Sequence, residues 1–337
     1  MKFPRTKKVV FCNNKGGVGK TTLSFHCGIE FAKKGYKTVL IDLDPQCNLT
    51  LLTLGGGFYE DNLFSKSQKT IYDVLKPKIE GAGDIDFNVD FSDVRENLHI
   101  LPGDIKLSLF ENLITNGYLD ATSGNMRGYS DTSSIYRFLN KKGMDEGIDI
   151  FIIDTSPSLG ILNRIIFLGA DYFLVPMMAD SFSVQGIENL GTVFEQWEKQ
   201  WKNTAKAVAG STPQDHLLQA TALFIGYVIN SFNVYGEKVV KRQREWLEKI
   251  PNEVKKYLSE KHSRNGMVEK SWKTPLYNLQ DYGQLTAISM DNNLAVSEFN
   301  NSKVKELNLQ GTQELHKKAC AEFEGLANNI LDVFKDY

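Results

Sequence analysis

The sequence predicts an α/β fold in which helices cover both faces of a mostly parallel, twisted sheet, and two observations support this prediction. Short apolar runs alternate with longer stretches of helical character, and strands that alternate with helices form parallel sheets. A glycine-rich segment, residues 15–22, joins the first apolar run to the first helical stretch. The chain of 337 residues is long enough for a full core, so we predict one domain over residues 1–337.

The individual elements follow from the same pattern. Six apolar runs are predicted as strands, namely Val9–Cys12, Thr38–Leu43, Leu98–Leu101, Ile148–Ile153, Tyr172–Pro176 and Leu223–Ile229. The first helix is predicted from Leu23 to Lys34, because Leu23, Cys27 and Phe31 are spaced by four residues and Gly35 can end the helix. Each motif described below falls at the carboxyl end of a predicted strand, where open α/β sheets bind their ligands.

Two stretches depart from this alternation. Residues 116–134 (NGYLDATSGNMRGYSDTSS) are polar and rich in glycine and serine, and we predict a mobile surface loop there. Residues 251–275 are charged and weakly periodic, which is typical of an insertion. We predict insertions into the domain at about both positions, and we expect partner specificity to lie in them.

Composition narrows the class of protein. The four cysteines include no CxxC pair, which favours a reducing cytoplasm, and the five histidines form no metal-binding pattern. No apolar run reaches the roughly 18–20 residues of a membrane span, and no apolar signal-peptide core follows the basic start, Met1–Lys8. We therefore expect a soluble, cytoplasmic protein without a transition-metal site.

The segment Lys15–Thr22 (KGGVGKTT) is predicted to bind the phosphates of a nucleotide. Successive backbone N–H groups and the positive end of the following helix can surround phosphate oxygens. The residues that would supply this cradle are Gly16, Gly17, Val18, Gly19, Lys20, Thr21 and Thr22. Lys20 would reach the β- and γ-phosphates, and the Thr21 hydroxyl would bind Mg²⁺. The alternative is a glycine-rich turn that binds nothing.

Two details distinguish this loop from the common one. Asn14 stands where the common motif has its first glycine, and Lys15 is an additional lysine at the front of the loop. With these features the loop resembles the deviant Walker A loop of the ParA/MinD family of P-loop ATPases. The resemblance covers nearly the whole chain, with its specific motifs in residues 13–48 and 150–190. It implies a P-loop NTPase fold, ATP and Mg²⁺ as cofactors, and an ATP-state homodimer in which Lys15 touches the partner's ATP.

Two aspartates end the second predicted strand. Asp42 and Asp44 are two residues apart, so their side chains lie on the same face of the strand, and Pro45 then ends it. Such acids could order an attacking water or help to hold hydrated Mg²⁺, or they could form a strand-end turn. In the family that the sequence resembles, the acid corresponding to Asp44 is the hydrolytic residue, which leaves Asp42 a structural or Mg²⁺-linked role.

A third acid, Asp154, follows the hydrophobic run Ile148–Ile153. This is the Walker B arrangement, in which the carboxylate meets Mg²⁺ through water. Because many hydrophobic strands end in aspartate, the pattern is informative only together with the phosphate loop. The next residues, Thr155–Gly160, resemble the second switch loop of the family, although Ser156 stands where a second proline is frequent.

Another strand-end residue, Asn230, follows the run Gly226–Ile229. The family that the sequence resembles places an asparagine against the nucleotide base at this point, so the resemblance implies an adenine contact for Asn230. The alternative is an asparagine that only caps the end of the strand.

The segment 238–273 carries eleven basic and five acidic residues, in a chain whose net charge is −2. Lys238, Lys241, Arg242 and Arg244 are the predicted DNA-binding residues. Lysine and arginine suffice for sequence-neutral contacts to phosphates, and the resemblance to ParA proteins implies non-specific DNA binding. The alternative is a helix face that is only solvated.

Three other functions agree less well with the sequence. A MinD-like membrane-positioning ATPase is disfavoured because the last residues, 326–337, contain two acids and a single lysine, which predicts a packing helix rather than a lipid-binding one. A nitrogenase-reductase-like electron carrier would need paired cluster cysteines, and no such set is apparent. A regulatory or scaffold subunit that binds ATP without turnover is disfavoured by the presence of Lys15, Lys20, Asp44 and Asp154.

The sequence thus resembles an ATPase of the ParA type. The resemblance implies ATP hydrolysis with Lys15 and Asp44 as catalytic residues, and Mg²⁺ held near Thr21, Asp42 and Asp154. It also implies ATP-dependent dimerisation, DNA binding in the ATP state, and segregation or positioning of plasmid or chromosome cargo at the nucleoid. The implied partners are a second subunit, DNA and a ParB-like or other activating adaptor protein, with no membrane.

Overall fold

A central sheet of eight strands organises the molecule. Its strands are β1 (Lys7–Phe11), β2 (Thr38–Leu43), β3 (Ser92–Arg95), β4 (Leu98–Leu101), β5 (Ile150–Thr155), β6 (Tyr172–Met177), β7 (Leu223–Phe232) and β10 (Tyr277–Gln280). Two further short strands, β8 (Val234–Tyr235) and β9 (Lys238–Val239), pair with each other. The structure, a computed structural model, describes residues 2–58, 60, 68–208, 210–232, 234–235, 238–239, 241–264, 267–307 and 312–336.

The order of the strands across the sheet is β10-β7-β6-β1-β5-β2-β4-β3. Neighbouring strands run parallel except at one edge, where β3 pairs antiparallel with β4. Strand β5 lies between β1 and β2, and in this register Asp154 is opposite both Phe11 and Asp42. The carboxyl ends of the three central strands therefore meet at one edge of the sheet.

Helices connect the strands. They are α1 (Lys20–Lys33), α2 (Asn48–Leu54), α3 (Ile71–Ile79), α4 (Leu107–Thr122), α5 (Met126–Thr132), α6 (Ser134–Glu146), α7 (Ile161–Gly169), α8 (Ser181–Val208), α9 (Lys241–Val254), α10 (Glu260–His262), α11 (Val268–Lys273), α12 (Gln284–Asp291), α13 (Asn301–Glu306) and α14 (Gln313–Asp336). A π-helical turn, Lys255–Ser259, joins α9 to α10.

Two apolar cores lie on opposite faces of the sheet, because successive side chains of a strand point to opposite faces. In β2, Val39 and Ile41 belong to the core that contains Phe110, whereas Leu40 belongs to the other core with Phe25. All six residues of β2 are buried. The predicted α/β class, with helices on both faces of a mostly parallel sheet, is confirmed.

The six predicted strands are all present within three residues of their predicted bounds. Strands β3 and β10, which lie at the two edges of the sheet, were not predicted. Their residues are mostly half-buried or exposed, so they lack the continuous apolar run by which the buried strands were recognised.

The prediction of a mobile loop over residues 116–134 was wrong, because this stretch is helical in α4, α5 and the start of α6. Its glycines allow two helices to touch. A Cβ atom on Gly128 would lie 2.3 Å from the Gly117 carbonyl oxygen, so a larger residue would separate α4 from α5. Asn125 caps α5 by accepting a hydrogen bond from the Arg127 N–H at 3.0 Å.

The described part of the predicted insertion, residues 251–275, is helical and packs against α8. The backbone of Tyr257 lies so close to α8 that a Cβ on Gly191 would be 2.2 Å from the Tyr257 carbonyl oxygen. The Tyr257 hydroxyl donates a hydrogen bond to Glu188 at 2.7 Å. That the two stretches are insertions into the family's domain stays a prediction.

The last helix, α14, packs onto the sheet as predicted. Phe334 is buried, and its ring centroid lies 5.0 Å from that of Tyr172 in β6. Among the helices that the structure describes, none has both the length and the apolar character needed to span a membrane.

Candidate functional site

The glycine-rich loop lies between β1 and the N-terminus of α1, as the sequence predicts. Gly17 and Gly19 have φ angles of 72° and 88°, a left-handed conformation that glycine adopts without strain. Helix α1 begins directly after Gly19, so its first N–H groups and its positive end face the same space as the loop. This geometry suits the phosphates of a nucleotide.

Lys20 is buried at the first position of α1. Its ammonium group donates to the carbonyl oxygen of Asn13 at 3.2 Å and to that of Lys15 at 3.5 Å. Burial lowers the pKa of Lys20, and the nearby Asp154 acts in the opposite direction. The loop thus folds around a cation, which is the arrangement needed to neutralise phosphate charge.

Thr21 and Asp154 meet at the carboxyl ends of the central strands. The Thr21 hydroxyl donates to the Asp154 carboxylate at 2.7 Å, and that of Ser24 does so at 3.5 Å. Burial and the charge of Asp42 raise the pKa of Asp154 to about 7. A cation beside these groups would relieve the cost of burying negative charge, so the predicted pair Thr21 and Asp154 fits Mg²⁺.

The side chains that the structure describes do not by themselves provide a metal cage. Within the described ranges, no group of three or more His, Cys, Asp or Glu residues is placed to hold a metal ion. Mg²⁺ usually keeps several waters and takes ligands from one or two side chains and from substrate phosphates. The residues present therefore fit a magnesium ion that arrives with a nucleotide.

Asp42 is fully buried beneath the loop that follows β2. Its carboxylate accepts hydrogen bonds from the Thr50 N–H at 2.8 Å and hydroxyl at 2.6 Å, and from the Asp44 N–H at 3.2 Å. Burial raises the pKa of Asp42 to about 6. These contacts agree with the structural role considered for Asp42, and the Mg²⁺-linked role stays a prediction.

Asp44 lines the cleft beside the phosphate loop. One carboxylate oxygen of Asp44 accepts a hydrogen bond from the Gln46 N–H at 2.9 Å, which orders the turn around Pro45. The side chain is therefore placed where an acid could orient a water molecule next to a terminal phosphate.

The cleft has a volume of about 550 Å³. Its lining residues are Gly16, Gly17, Gly19, Lys20, Thr21, Thr22, Asp44, Asn48, Leu51, Leu52, Thr155, Pro157, Met290 and Asp291. Most of the predicted phosphate and catalytic residues thus share one cavity. Met290 and Asp291 were not predicted from the sequence, because the end of α12 carries no motif.

Lys15 has its partner within its own subunit. Its ammonium group forms a salt bridge with Asp180 and lies 5.7 Å from the centre of the Phe182 ring. The Lys15 N–H donates to the Asn13 side chain at 2.9 Å, and the Asn13 amide donates to the Pro176 carbonyl at 2.7 Å. No role was predicted for Asp180 from the sequence.

Asn230 braces the phosphate loop. Its side-chain amide donates to the Val18 carbonyl at 3.0 Å, and a Cβ on Gly19 would lie 2.1 Å from the amide nitrogen. Asn230 is absent from the lining of the cleft. The predicted adenine contact is not tested by this arrangement and stays a prediction.

The predicted DNA-binding residues lie around the start of α9. Lys238 belongs to β9, and Lys241 and Arg242 are the first residues of α9, but the side chains of these three fall outside the described part of the structure. Arg244 is described and exposed. Farther along the basic segment, Lys249 and Arg264 are also exposed.

The sequence is similar to a known protein family and to several known proteins. A family model described as an AAA domain matches residues 6–207. The virulence plasmid ParA family protein pGP5-D of Chlamydia psittaci is 30% identical over 213 residues, covering 58% of this chain and 71% of its own length. The chromosome-partitioning ATPase Soj of Treponema pallidum is 30% identical over 207 residues, covering 60% of this chain and 69% of its own.

Solved structures agree with the sequence comparisons. A protein from Corynebacterium diphtheriae is similar to this chain with a TM-score of 0.69 and 26% identity. The similarity covers 86% of this chain and 97% of that one. It therefore extends well beyond residues 6–207 and includes most of the C-terminal third.

Proposed function

The chain belongs to the AAA-domain family as a ParA/MinD-like P-loop ATPase, and we propose that it hydrolyses ATP as a nucleotide-switched homodimer that positions DNA cargo. The observation that carries the proposal is the shared cleft of Lys20, Thr21 and Asp44, with Asp154 bonded to Thr21 at 2.7 Å. These are the groups that phosphate binding, Mg²⁺ binding and water activation require.

Each residue of the cleft has a separate task in this proposal. Lys20 and the backbone N–H groups of the loop would bind the β- and γ-phosphates, and Thr21 with the nearby Asp154 would hold hydrated Mg²⁺. Bound Mg²⁺ would offset the negative charge that develops on the phosphates during hydrolysis. Asp44 orients the attacking water from the turn that Gln46 stabilises.

Dimerisation would complete the site through Lys15. We propose that Lys15 leaves Asp180 and reaches the nucleotide of the partner subunit, where its charge stabilises the transition state. By analogy with arginine fingers, a cation supplied in trans can raise the rate by roughly 10³–10⁵.

Apolar side chains border the cleft and support a docking role for this surface. Phe182, next to Lys15, is 70% exposed, and Leu51, which lines the cleft, is 39% exposed. Exposed apolar groups beside an incomplete site favour burial against another subunit. Loss of the γ-phosphate on hydrolysis would remove the group that Lys15 binds and loosen the dimer.

DNA binding is the part of the proposal that rests on charge. The described basic segment exposes Arg244, Lys249 and Arg264. The relatives named above include a virulence plasmid ParA family protein and a chromosome-partitioning ATPase. If a dimer places two such segments on one face and about six phosphates are contacted, the log–log salt slope of binding would be near −5. Cargo would then be carried by an adaptor of the ParB type.

The test is duplex DNA binding measured with ATP, with ADP and without nucleotide. The Asp44→Ala variant would hold the ATP state and is expected to bind DNA at least as tightly as the wild-type chain with ATP. Salt-sensitive binding that requires ATP supports the proposal. Binding of equal strength in all three nucleotide states, or none in any state, would contradict the DNA-positioning role.

A further inference from the structure

Asn163, the third residue of α7, reaches back to the loop that precedes this helix. Its side-chain amide donates to the Ser156 carbonyl at 2.8 Å and to the Ser158 carbonyl at 2.7 Å. Only the NH₂ group of an asparagine can donate to two carbonyl oxygens, which fixes the orientation of the amide. One side chain thus holds two points of residues 155–160, which comprise the last residue of β5 and the loop before α7, and which we call the switch loop.

The switch loop connects the cleft to α7. It begins directly after Asp154, and its Pro157 lines the cleft beside Gly16 and Gly17. Within the loop, the Ser158 N–H donates to the Ser156 carbonyl at 2.9 Å, and the two serine hydroxyls are 3.1 Å apart. Any displacement of Pro157 by a bound nucleotide therefore acts on the two carbonyl groups that Asn163 holds.

Helix α7, which carries Asn163, is held rigidly by the core. Leu162, Ile165 and Ile166 of α7 are at most 1% exposed and belong to the core on one face of the sheet. Because packed cores move as units rather than deform continuously, α7 provides a fixed base for the amide of Asn163. The Oδ1 atom of Asn163 is buried and has no hydrogen-bond partner among the described residues. The NH₂ group alone therefore holds the switch loop, and we call its two hydrogen bonds to the Ser156 and Ser158 carbonyls the clamp.

We propose that Asn163 is a positioning residue, which holds the switch loop in one conformation and thereby sets Pro157 and the backbone next to Asp154 for hydrolysis. This proposal rests on the proposed ATPase function. A serine at position 156 leaves its φ angle free, whereas the double hydrogen bond from Asn163 restricts the loop from outside. Asn163 does not touch the reacting atoms and acts only through the loop.

Two substitutions test the clamp. Asn163→Ala removes both hydrogen bonds, and Asn163→Asp keeps the shape while placing carboxylate oxygens against the two carbonyl oxygens. For both we expect an unchanged Kd for ATP and a fall in kcat of about 10- to 100-fold, because misplaced groups lose rate without losing ground-state binding. Hydrogen–deuterium exchange of residues 155–160 should accelerate in both variants.

A second-site change distinguishes positioning from general destabilisation. Ser156→Pro restricts the φ angle at this position, and Thr155 already lies in a strand, the conformation that a following proline requires. We expect Ser156→Pro to restore part of the lost kcat of Asn163→Ala. Asn329→Ala is the matched control, because Asn329 also donates to a backbone carbonyl, that of Leu276 at 2.7 Å, away from the cleft.

The outcomes separate this proposal from the function on which it rests. Wild-type kcat in Asn163→Ala, or a joint loss of ATP affinity, kcat and Tm without rescue by Ser156→Pro, would overturn it. If the wild-type chain binds ATP but does not hydrolyse it, the ATPase proposal fails on its own. In that case hydrogen–deuterium exchange still tests whether Asn163 holds the switch loop. ATP should protect residues 155–160 in the wild-type chain, and Asn163→Ala should lose that protection.

Discussion

Lys15 of the phosphate loop and Asp180, the residue before α8, form a salt bridge inside one subunit. Their side chains are 29% and 32% exposed, so solvent weakens the attraction between them. Burial alone would raise the pKa of Asp180, but hydrogen bonds from Lys15 and from Ser183 lower it. If Lys15 is to act on a partner subunit, it must first leave this carboxylate. The salt bridge within the subunit therefore competes with the contact that Lys15 makes in the dimer.

Removing the charge of Asp180 should therefore favour the ATP-dependent dimer. Asp180→Asn keeps an oxygen that can accept the hydrogen bond from the Ser183 N–H, now 2.8 Å long, and removes only the salt bridge. Exposed salt bridges are worth about 0.2–1 kcal/mol, so we expect the dimer Kd with ATP to fall by up to about fivefold per broken pair. Analytical ultracentrifugation with ATP and with ADP measures this.

A matched control is Glu324→Gln, which breaks the pair with Lys34 at 2.9 Å on another part of the surface. It should leave the dimer Kd unchanged. Weaker dimerisation in Asp180→Asn than in the wild-type chain would mean that Asp180 supports the dimer rather than competing with it.

Asp44→Asn tests the catalytic assignment. An asparagine can still accept the hydrogen bond from the Gln46 N–H, so the turn after β2 should persist while the negative charge is lost. We expect an unchanged Kd for ATP and a fall in kcat of about 10²- to 10⁴-fold, the range for loss of a residue in general acid–base catalysis. Steady-state hydrolysis and nucleotide-binding titrations check the two quantities separately.

We expect Asp42→Asn to affect stability and ATP binding, in contrast to Asp44→Asn. One carboxylate oxygen of Asp42 accepts two hydrogen bonds from Thr50, and the other accepts one from the Asp44 N–H. An asparagine has only one oxygen, so at least one of these bonds is lost. We expect a lower Tm together with weaker ATP binding. Near-normal turnover in Asp44→Asn, or an effect equal to that of Asp42→Asn on both Tm and Kd, would refute a specifically catalytic role for Asp44.

The parts of this site that the sequence could predict are those encoded by neighbouring residues. Strand β5 and Asp154 near its carboxyl end form one continuous run, and the left-handed turns at Gly17 and Gly19 are local requirements of the phosphate loop. The alternation of strands and helices predicts parallel pairing, and the observed order of the strands then places Asp42 opposite Asp154.

The parts that the sequence could not predict depend on packing between distant residues. Lys15 and Asp180 are 165 positions apart, and no local pattern pairs them. Glycine was ambiguous for a similar reason, because Gly117 and Gly128 resemble loop residues in sequence but allow two helices to pack closely. Their role is visible only when both helices are placed.

Reversing charge at the start of α9 tests the predicted DNA surface. Arg242→Glu with Arg244→Glu should abolish tight DNA binding in the ATP state while ATP-driven dimerisation persists, because binding to phosphates depends on positive charge. The magnitude of the log–log salt slope should fall by about 0.9 for each phosphate that the variant no longer neutralises. Fluorescence anisotropy of a labelled duplex over a range of salt concentrations measures both effects.

Unchanged DNA affinity in this double variant would identify the basic face as solvated surface. Lys34→Glu combined with Lys141→Glu is a suitable control, since both lysines pair with acids at the surface outside the basic segment. This control should lose little affinity, which separates a local interaction from the effect of net charge.

His26 makes the stability of the fold depend on pH. The ring is buried in α1, its Nδ1 atom lies 2.8 Å from the Thr22 carbonyl oxygen, and it stacks on Phe323 with centroids 4.0 Å apart. Burial lowers the pKa of His26 to about 4, below the value of about 6.5 in an unfolded chain. Between these two values the unfolded chain binds a proton that the folded chain does not.

The sign of the effect follows from this difference. The contribution of His26 is fully present above about pH 6.5 and is lost as the pH falls toward about 4, at roughly 1.4 kcal/mol per pH unit, or roughly 3 kcal/mol in all. The pKa of Asp154 is raised to about 7, so in the same pH range Asp154 makes the folded chain more stable as the pH falls. This effect on stability is opposite to that of His26. The difference in the free energy of unfolding between the wild-type chain and His26→Asn therefore isolates the histidine, since asparagine keeps a donor for the Thr22 carbonyl but does not titrate.

Urea unfolding from pH 8 to pH 4 measures this difference, which should be constant above pH 7 and should shrink or reverse below about pH 6. A difference that stays constant down to pH 4 would show that His26 takes up its proton equally in the folded and unfolded states.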